Sequence, residues 1–417
     1  MVPLRRPLDT LTDYERNRGT LITRRTIIRT TTRTTTRGEH HMLDLTFTPE
    51  QEMLRETVRG IVATASPLSV VRELEDDPIG YSTELWKQLA HLDLIGLQIP
   101  EEYGGSGMTT LESVVVYEEF GRAIAPSPHF VSSIVSGGAL ARSGSDEQKQ
   151  AWLPGIVTGE AILTPAWLEP ENSSGPTGVQ VRAVPDGDGW TITGIKRHVA
   201  FASSATRLVV LARTGDGVED IDLFLVDPAD SGVTLTQQMT IASDAQYKVE
   251  LTGVRVTEAD RIGAAGTGWN TWNAVMHEAI ILAAAQAVGG AQYALDITVQ
   301  YAKDRQQFDK PLGAFQALAH YLADAATNVD GARVLVHEAG WARSDGRPVG
   351  KLAPMAKLYA CQTFRDVTAM AQQIFGGIGF TVEFDIQLYF RRAKQLQMSW
   401  WDTRMLEELI AAEVLDR

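Results

Sequence analysis

The stretch VQVRAVPDGDGWTITG, Val179–Gly194, decides the fold. Val179, Val181 and Ala183 alternate with polar residues, the period of two that lines one face of a strand. Pro185-Asp186-Gly187-Asp188-Gly189 then supplies a turn, and Trp190, Ile192 and Gly194 resume the alternation on a return strand. A hairpin is predicted. Outward from it, Leu208–Ala212 and Ile221–Val226 are short apolar runs. Val249, Leu251, Val254 and Val256 complete a string of short strands. Residues 161–262 read as a β domain.

On both sides the period turns helical. Upstream, Thr48-Pro49-Glu50-Gln51 is a helix start, with a Thr cap, Pro in the first turn and Gln three residues past the cap. Leu54, Val58, Ile61, Val62 and Ala65 follow at helical spacing, and Ser66-Pro67 ends the run. Leu85, Trp86, Leu89 and Leu92 mark a second helix; Leu111–Ala123 and Ser132–Arg142 mark two more. Residues 42–160 read as an all-α domain. Downstream, Trp272–Arg305 is predicted as one helix of about 50 Å. Phe315–Ala342, Leu352–Phe375 and Asp402–Glu413 follow, so residues 263–417 read as a second α-helical domain. The predicted class is α+β, in the order α, β, α.

Charge is unevenly placed. Residues 1–41 hold nine Arg, no Lys and four acids, a balance of +5 in a chain of net charge −14. They also hold eleven Thr, no lasting period and no apolar h-region, so they read as a disordered extension or as sequence upstream of a start at Met42, with an organelle transit peptide as the alternative for so Arg- and hydroxyl-rich a start. The remainder, at −19, offers no basic stripe for nucleic acid. One cysteine, Cys361, excludes an intrachain disulfide and points to a reducing, cytoplasmic setting. The longest apolar stretch, Ala279–Ala294, is interrupted by Gln286, and no membrane span is expected. No G-x-G-x-x-G opens a helix after a strand, and no P-loop occurs. H-E-x-x-H, a Cys/His cluster and G-x-S-x-G are absent too, so neither a metal nor a serine nucleophile is expected.

Two clusters suit a phosphorylated cofactor. Arg305, at a helix end, offers a planar fork to a pyrophosphate; Phe308 offers an apolar face, and Gln316 an amide. Gly376, Gly377 and Gly379 expose backbone N–H groups and permit close approach. Alone, the same residues also read as a surface Arg, a core Phe and a helix C-cap.

Three segments together resemble the flavin-dependent acyl-CoA dehydrogenase family. They are Ile99-Pro100-Glu101-Glu102-Tyr103-Gly104-Gly105-Ser106-Gly107, the YAKDRQQFDKPLGAFQ run of Tyr301–Gln316, and Gln373–Thr381 followed by Glu383 and Arg391-Arg392-Ala393-Lys394. The resemblance covers about residues 43–415. It implies an N-terminal all-α domain, a middle β-barrel domain and a C-terminal four-helix bundle that drives assembly into a homo- or hetero-oligomer, a dimer or tetramer. It implies FAD, α,β-dehydrogenation of an acyl-CoA thioester, and electron transfer to an electron-transferring flavoprotein. By resemblance, Arg305, Phe308, Gln316, Gln373, Gly376 and Gly377 hold the ADP half of FAD, largely for the neighbouring subunit.

The chain departs from the family where the reaction needs it most. The α-proton requires a carboxylate, which most members place shortly after the R-x-A-K run. Counted without gaps, that position is Trp400. A smaller branch places it on the long helix, and that position is Ala279. Glu278 lies one residue away, about 100° around a helix, and Asp402 lies two beyond Trp400; either is a candidate displaced base or a solvated acid. Leu168 stands before Glu169-Pro170 where members often show a flavin-bonding Thr. His198-Val199-Ala200 stands where a Trp-x-Thr usually meets the ring, and Asp309 replaces a usual Gly. Leu168 and His198 are thus candidates to meet the flavin ring through backbone contacts, and His198 also reads as a structural histidine. Groups that reach a neighbour's FAD are kept, while those serving the chain's own ring are altered. That pattern suits a supporting subunit of a mixed oligomer, as in some members of bacterial sterol catabolism. The alternatives are a flavin monooxygenase or oxidase on the same fold, and a non-catalytic interaction subunit.

Overall fold

The computed structural model describes residues 45–171 and 173–415, so the expectation for residues 1–41 lies outside the described residues. Thr48 caps α1 (Pro49–Ala65) as its neighbours dictate. The Thr48 hydroxyl accepts from the Gln51 N–H, and the Gln51 side chain accepts from the Thr48 N–H. Two short helices follow, α2 (Leu68–Glu73) and α3 (Thr83–His91), the latter burying Leu85, Trp86 and Leu89. The same reciprocal cap starts α4 (Thr110–Arg122), where Thr109 pairs with Glu112. The helix expected from Ser132 begins earlier, as a π-helical segment over Phe130–Ser136, and tightens into α5 (Gly137–Ser143). A capped α6 (Asp146–Thr158) closes this region.

Eight strands come next: β1 (Leu163–Ala166), β2 (Arg182–Asp186), β3 (Gly189–Ala200), β4 (Arg207–Arg213), β5 (Ile221–Val226), β6 (Val233–Gln238), β7 (Gln246–Thr257) and β8 (Arg261–Ile262). β2 and β3 form the expected hairpin, Asp186 facing Gly189 across the two-residue turn Gly187-Asp188. The ladder runs β6-β7-β3-β2-β4-β5-β8, and β1 adds parallel to β4. Among the described residues its outer members, β6 and β8, are not paired with each other, so the path is an open sheet.

From Gly268 the chain is helical again. α7 (Gly268–Asp304) has 37 residues, about 55 Å at 1.5 Å per residue. A miniature hairpin, β9 (Gln306–Gln307) with β10 (Lys310–Pro311), leads into α8 (Gln316–Ser344), α9 (Leu352–Phe375), α10 (Ile386–Met398) and α11 (Thr403–Leu415). α9 packs on α7, α8 and α10, which makes the bundle.

α7 is the axis of the molecule. It is long and apolar enough to cross a membrane by length and composition, yet 78% of that apolar window is packed inside the protein. It crosses α4 at backbone contact. A Cβ on Gly289 would lie 1.8 Å from the Glu118 carbonyl oxygen, and one on Gly121 would lie 1.9 Å from that of Gln286. Only glycine permits that approach on each side. One apolar core therefore runs through both helical regions, from Val58 and Val115 to Ile281 and Phe364; a second lies in the sheet around Val210, Phe224 and Val249.

Candidate functional site

α7 ends at Arg305, whose N–H still reaches the Tyr301 carbonyl while its dihedrals turn extended. The chain then reverses through Phe308 and Asp309, both with positive φ (53° and 59°). That is the geometry of a two-residue type I′ hairpin, and it lifts Phe308 to the tip, 87% exposed. Phe308 is therefore not a core residue; its ring meets Phe315 edge-on, at 6.2 Å. The Arg305 side chain is exposed and has no hydrogen bond or ion pair to any described residue. Gln316 opens α8 and is exposed.

The glycine turn lies at the same end of the bundle. Tyr301 stacks on Phe375 with ring centroids 4.3 Å apart, so the C-termini of α7 and α9 are neighbours. Gly376 caps α9 at φ 65°, ψ −144°, a region essentially closed to other residues. Gly376, Gly377 and Gln373 are exposed, with open space at the two glycines. Beside them the Gln372 amide is buried with no partner on oxygen or nitrogen among the described residues, and a Cβ on Gly379 would come within 2.5 Å of its oxygen. A free guanidinium, a bare aromatic tip, an open backbone turn and an unspent amide fit a dinucleotide, since this chain's own packing uses none of them.

The β-region positions are more committed. The Leu168 carbonyl accepts from the Arg197 N–H at 2.9 Å, and its side chain packs against the helical core. Glu169 is buried and accepts from the N–H groups of Gln180 (2.9 Å) and Val181 (3.0 Å). It also pairs at 2.6 Å with Lys196, which has no exposed side chain. Burial pushes Lys196 down to about 8, against the pull of Glu169. His198 stands in a bulge of β3, where the register against β7 slips between Lys196 and Val199, and its φ is 53°. Gln246 gives its amide N–H to Asp244, so its oxygen faces His198 and the imidazole Nδ1–H donates to it at 2.9 Å. Burial first, and then Arg197, hold His198 below the usual histidine range.

Neither candidate base is idle. Glu278 accepts from Gln98 Nε2 (3.1 Å) and Thr110 Oγ1 (2.8 Å), and Arg343 grips it through two nitrogens at 3.2 and 3.0 Å. Arg142 approaches to 4.0 Å. Asp402 is exposed, and its Oδ1 accepts the Met405 N–H at 3.0 Å, capping α11. Ala279 is fully buried.

Trp400 introduces residues that sequence reasoning did not single out. Its ring lies 4.8 Å from Phe130 of the π-helical segment and 6.3 Å from Trp167, nearly parallel to it at 19°. Trp167 in turn meets Trp272 of α7 at 5.3 Å. All three regions of the chain thus converge on one aromatic stack, adjacent to Leu168. Trp401 is wholly buried against His277. Its carbonyl accepts from Lys357 Nζ at 2.9 Å, as the Leu396 carbonyl does at 3.3 Å. Burial lowers the Lys357 pKa, while Cys361 and Asp402 oppose that shift. Phe130 and Trp167 belong to no periodic run or motif in the sequence, so nothing local pairs them with Trp400.

Comparison with known proteins completes the picture. The acyl-CoA dehydrogenase N-terminal, middle and C-terminal domain models match residues 48–160, 165–254 and 266–415. A Bacillus subtilis protein called probable acyl-CoA dehydrogenase YngJ is 32% identical, over 89% of this chain and all of that one. The structure titled as the ChsE4-ChsE5 complex from Mycobacterium tuberculosis superposes with a TM-score of 0.82 at 29% identity, covering 90% of this chain and 100% of that one. Butyryl-CoA dehydrogenase from Megasphaera elsdenii gives 0.82 at 26%, covering 89% and 100%. The class these features define is an oxidoreductase acting on CH–CH groups, built from a helical, a sheet and a second helical region. The chain belongs to the acyl-CoA dehydrogenase family, whose members are FAD flavoproteins.

Proposed function

We propose that this chain is the supporting subunit of a mixed-oligomer acyl-CoA dehydrogenase, binding FAD with a partner chain that carries the proton-abstracting carboxylate. One observation carries the reading: the position counted for the base is Trp400, and the two nearby acids are spent on structure, Glu278 on Arg343 and Asp402 on the α11 cap. Bound FAD supplies the acceptor for the substrate's β-hydrogen. Arg305 would pair with its pyrophosphate, Gly376 and Gly377 would let that group approach the backbone, and Phe308, Gln316 and Gln373 would cover the nucleoside side. On the chain's own sheet face the backbone at Leu168 and His198 would flank the ring position, with the Leu168 carbonyl already accepting from Arg197 and the His198 N–H already donating to Gln238. The exposure of the Arg305–Phe308 tip supports service to a neighbouring subunit. That a solved relative is titled as a two-chain complex supports a mixed oligomer. Reducing equivalents pass on to an electron-transferring flavoprotein, and a cytoplasmic setting goes with the single buried thiol, Cys361.

The test is anaerobic flavin bleaching by a panel of acyl-CoAs, with the chain alone and with a homologue encoded beside it. Bleaching is expected only in the pair, and it is abolished by removing the partner's carboxylate. Full reduction by the isolated chain, lost in Asp402→Asn or Glu278→Gln, would overturn the reading.

A further inference from the structure

Trp400 and Trp401 are two consecutive bulky residues in the left-handed region, at φ 54° and 68°. Each is an outlier for an L-residue with a large side chain, and such strain persists only where surrounding structure imposes it. The surroundings are visible. Lys357 holds the Trp401 and Leu396 carbonyls from below, Asp402 caps the helix beyond, and the Trp401 ring is locked against His277. The Trp400 ring on this turn is half-buried between the two apolar cores and packs onto Phe130 and Trp167.

The separations there are those of direct ring contact, 4.8 and 6.3 Å between centroids. The stack continues through Trp167 to Trp272 at 5.3 Å. It spans from the loop after α10 to the residue before Leu168, that is, from the position counted for the base to the position counted for a flavin-facing residue. We infer that Trp400 is a plug: wedged between Phe130 and Trp167, it fills the acyl position of this chain's own cleft and bars the acyl group of a CoA thioester. The inference rests on the supporting-subunit reading and deepens it, because it says why the altered cleft does not simply bind substrate unproductively. It makes Trp400 a specificity-determining residue.

The experiment is equilibrium dialysis of the full chain, assembled as it is purified, against octanoyl-CoA, butyryl-CoA and free CoA. The wild type is expected to bind the two thioesters no tighter than free CoA. Trp400→Gly should bind octanoyl-CoA at least ten-fold tighter than the wild type, with free CoA unchanged. Trp400→Phe, which keeps a ring in place, should stay near the wild type; it also serves as the folded control. Thioester binding by the wild type well above that of free CoA would overturn the plug. So would a folded Trp400→Gly, or Trp400→Leu if the glycine variant is unstable, with no gain for octanoyl-CoA. The supporting-subunit reading is judged separately by flavin bleaching with and without the partner. A chain that binds thioester with Trp400 present, yet bleaches only in the pair, would refute the plug alone.

Discussion

Lowering the pH from 7 to 5 should cost this protein about 2 kcal/mol of stability through one residue, His129. His129 is buried at the start of the π-helical segment, one position before Phe130. Its Nε2 faces the Leu94 carbonyl at 3.0 Å, so that nitrogen carries the proton; Nδ1 then accepts from the Tyr117 hydroxyl at 2.8 Å. Burial pushes its pKa down to about 4 from an ordinary 6.5, with the Leu94 carbonyl opposing. The unfolded chain therefore takes up a proton below pH 6.5 that the folded chain refuses until about pH 4. The stability is fully present above 6.5 and drains at about 1.4 kcal/mol per pH unit between those values. Carboxylates titrate in the same range, so the readout is a difference. Urea unfolding of the wild type and of His129→Gln at pH 7 and pH 5 isolates it. The wild type should lose about 2 kcal/mol more than the variant over that interval. Equal losses in both proteins would refute the argument.

Arg305→Ala should remove a charge-assisted contact worth about 1.5–3 kcal/mol and weaken FAD about ten-fold or more; flavin fluorescence titration reads it, and unchanged affinity counts against the pyrophosphate role. Asp309→Gly should raise stability by about 1 kcal/mol, since a φ of 59° strains an L-residue and not glycine; a lower melting temperature would contradict this. Gly289→Ala should cost about 3 kcal/mol or more, because its Cβ would collide with the Glu118 carbonyl at 1.8 Å and part α4 from α7. Native melting behaviour in that variant would show the helix crossing to be adjustable.

Local chemistry explains which elements the sequence reveals. The Thr48–Gln51 cap, the Gly187-Asp188 turn and the apolar period of α9 are interactions between residues four or fewer positions apart, so their signal is contiguous. Several elements lacked such a signal, the very short strands β1, β8, β9 and β10 among them. α6 carries Pro154 in its interior, which reads as a break. α2 buries only Val71, and β6 buries no residue fully. α10 hides its buried Ile386, Leu388, Tyr389 and Ala393 among charged neighbours.

The site divides the same way. Arg305, Phe308, Gly376 and Gly377 could be named from sequence because hairpin and cap chemistry is local, and because a cofactor-facing residue needs no partner within its own chain. What no local pattern encodes is contact between remote positions. Glu278 is a plausible base in one dimension; only the folded chain brings Gln98, Thr110 and Arg343 onto its carboxylate. Trp400 is a missing acid in one dimension. Folding places it between Phe130 and Trp167, more than 230 residues away, because α7 draws both helical regions and the sheet around one core. Side-chain type and spacing determined the order of elements and the cofactor edge; which carboxylates are free, and which ring fills the cleft, depends on distances that exist only after the chain has packed.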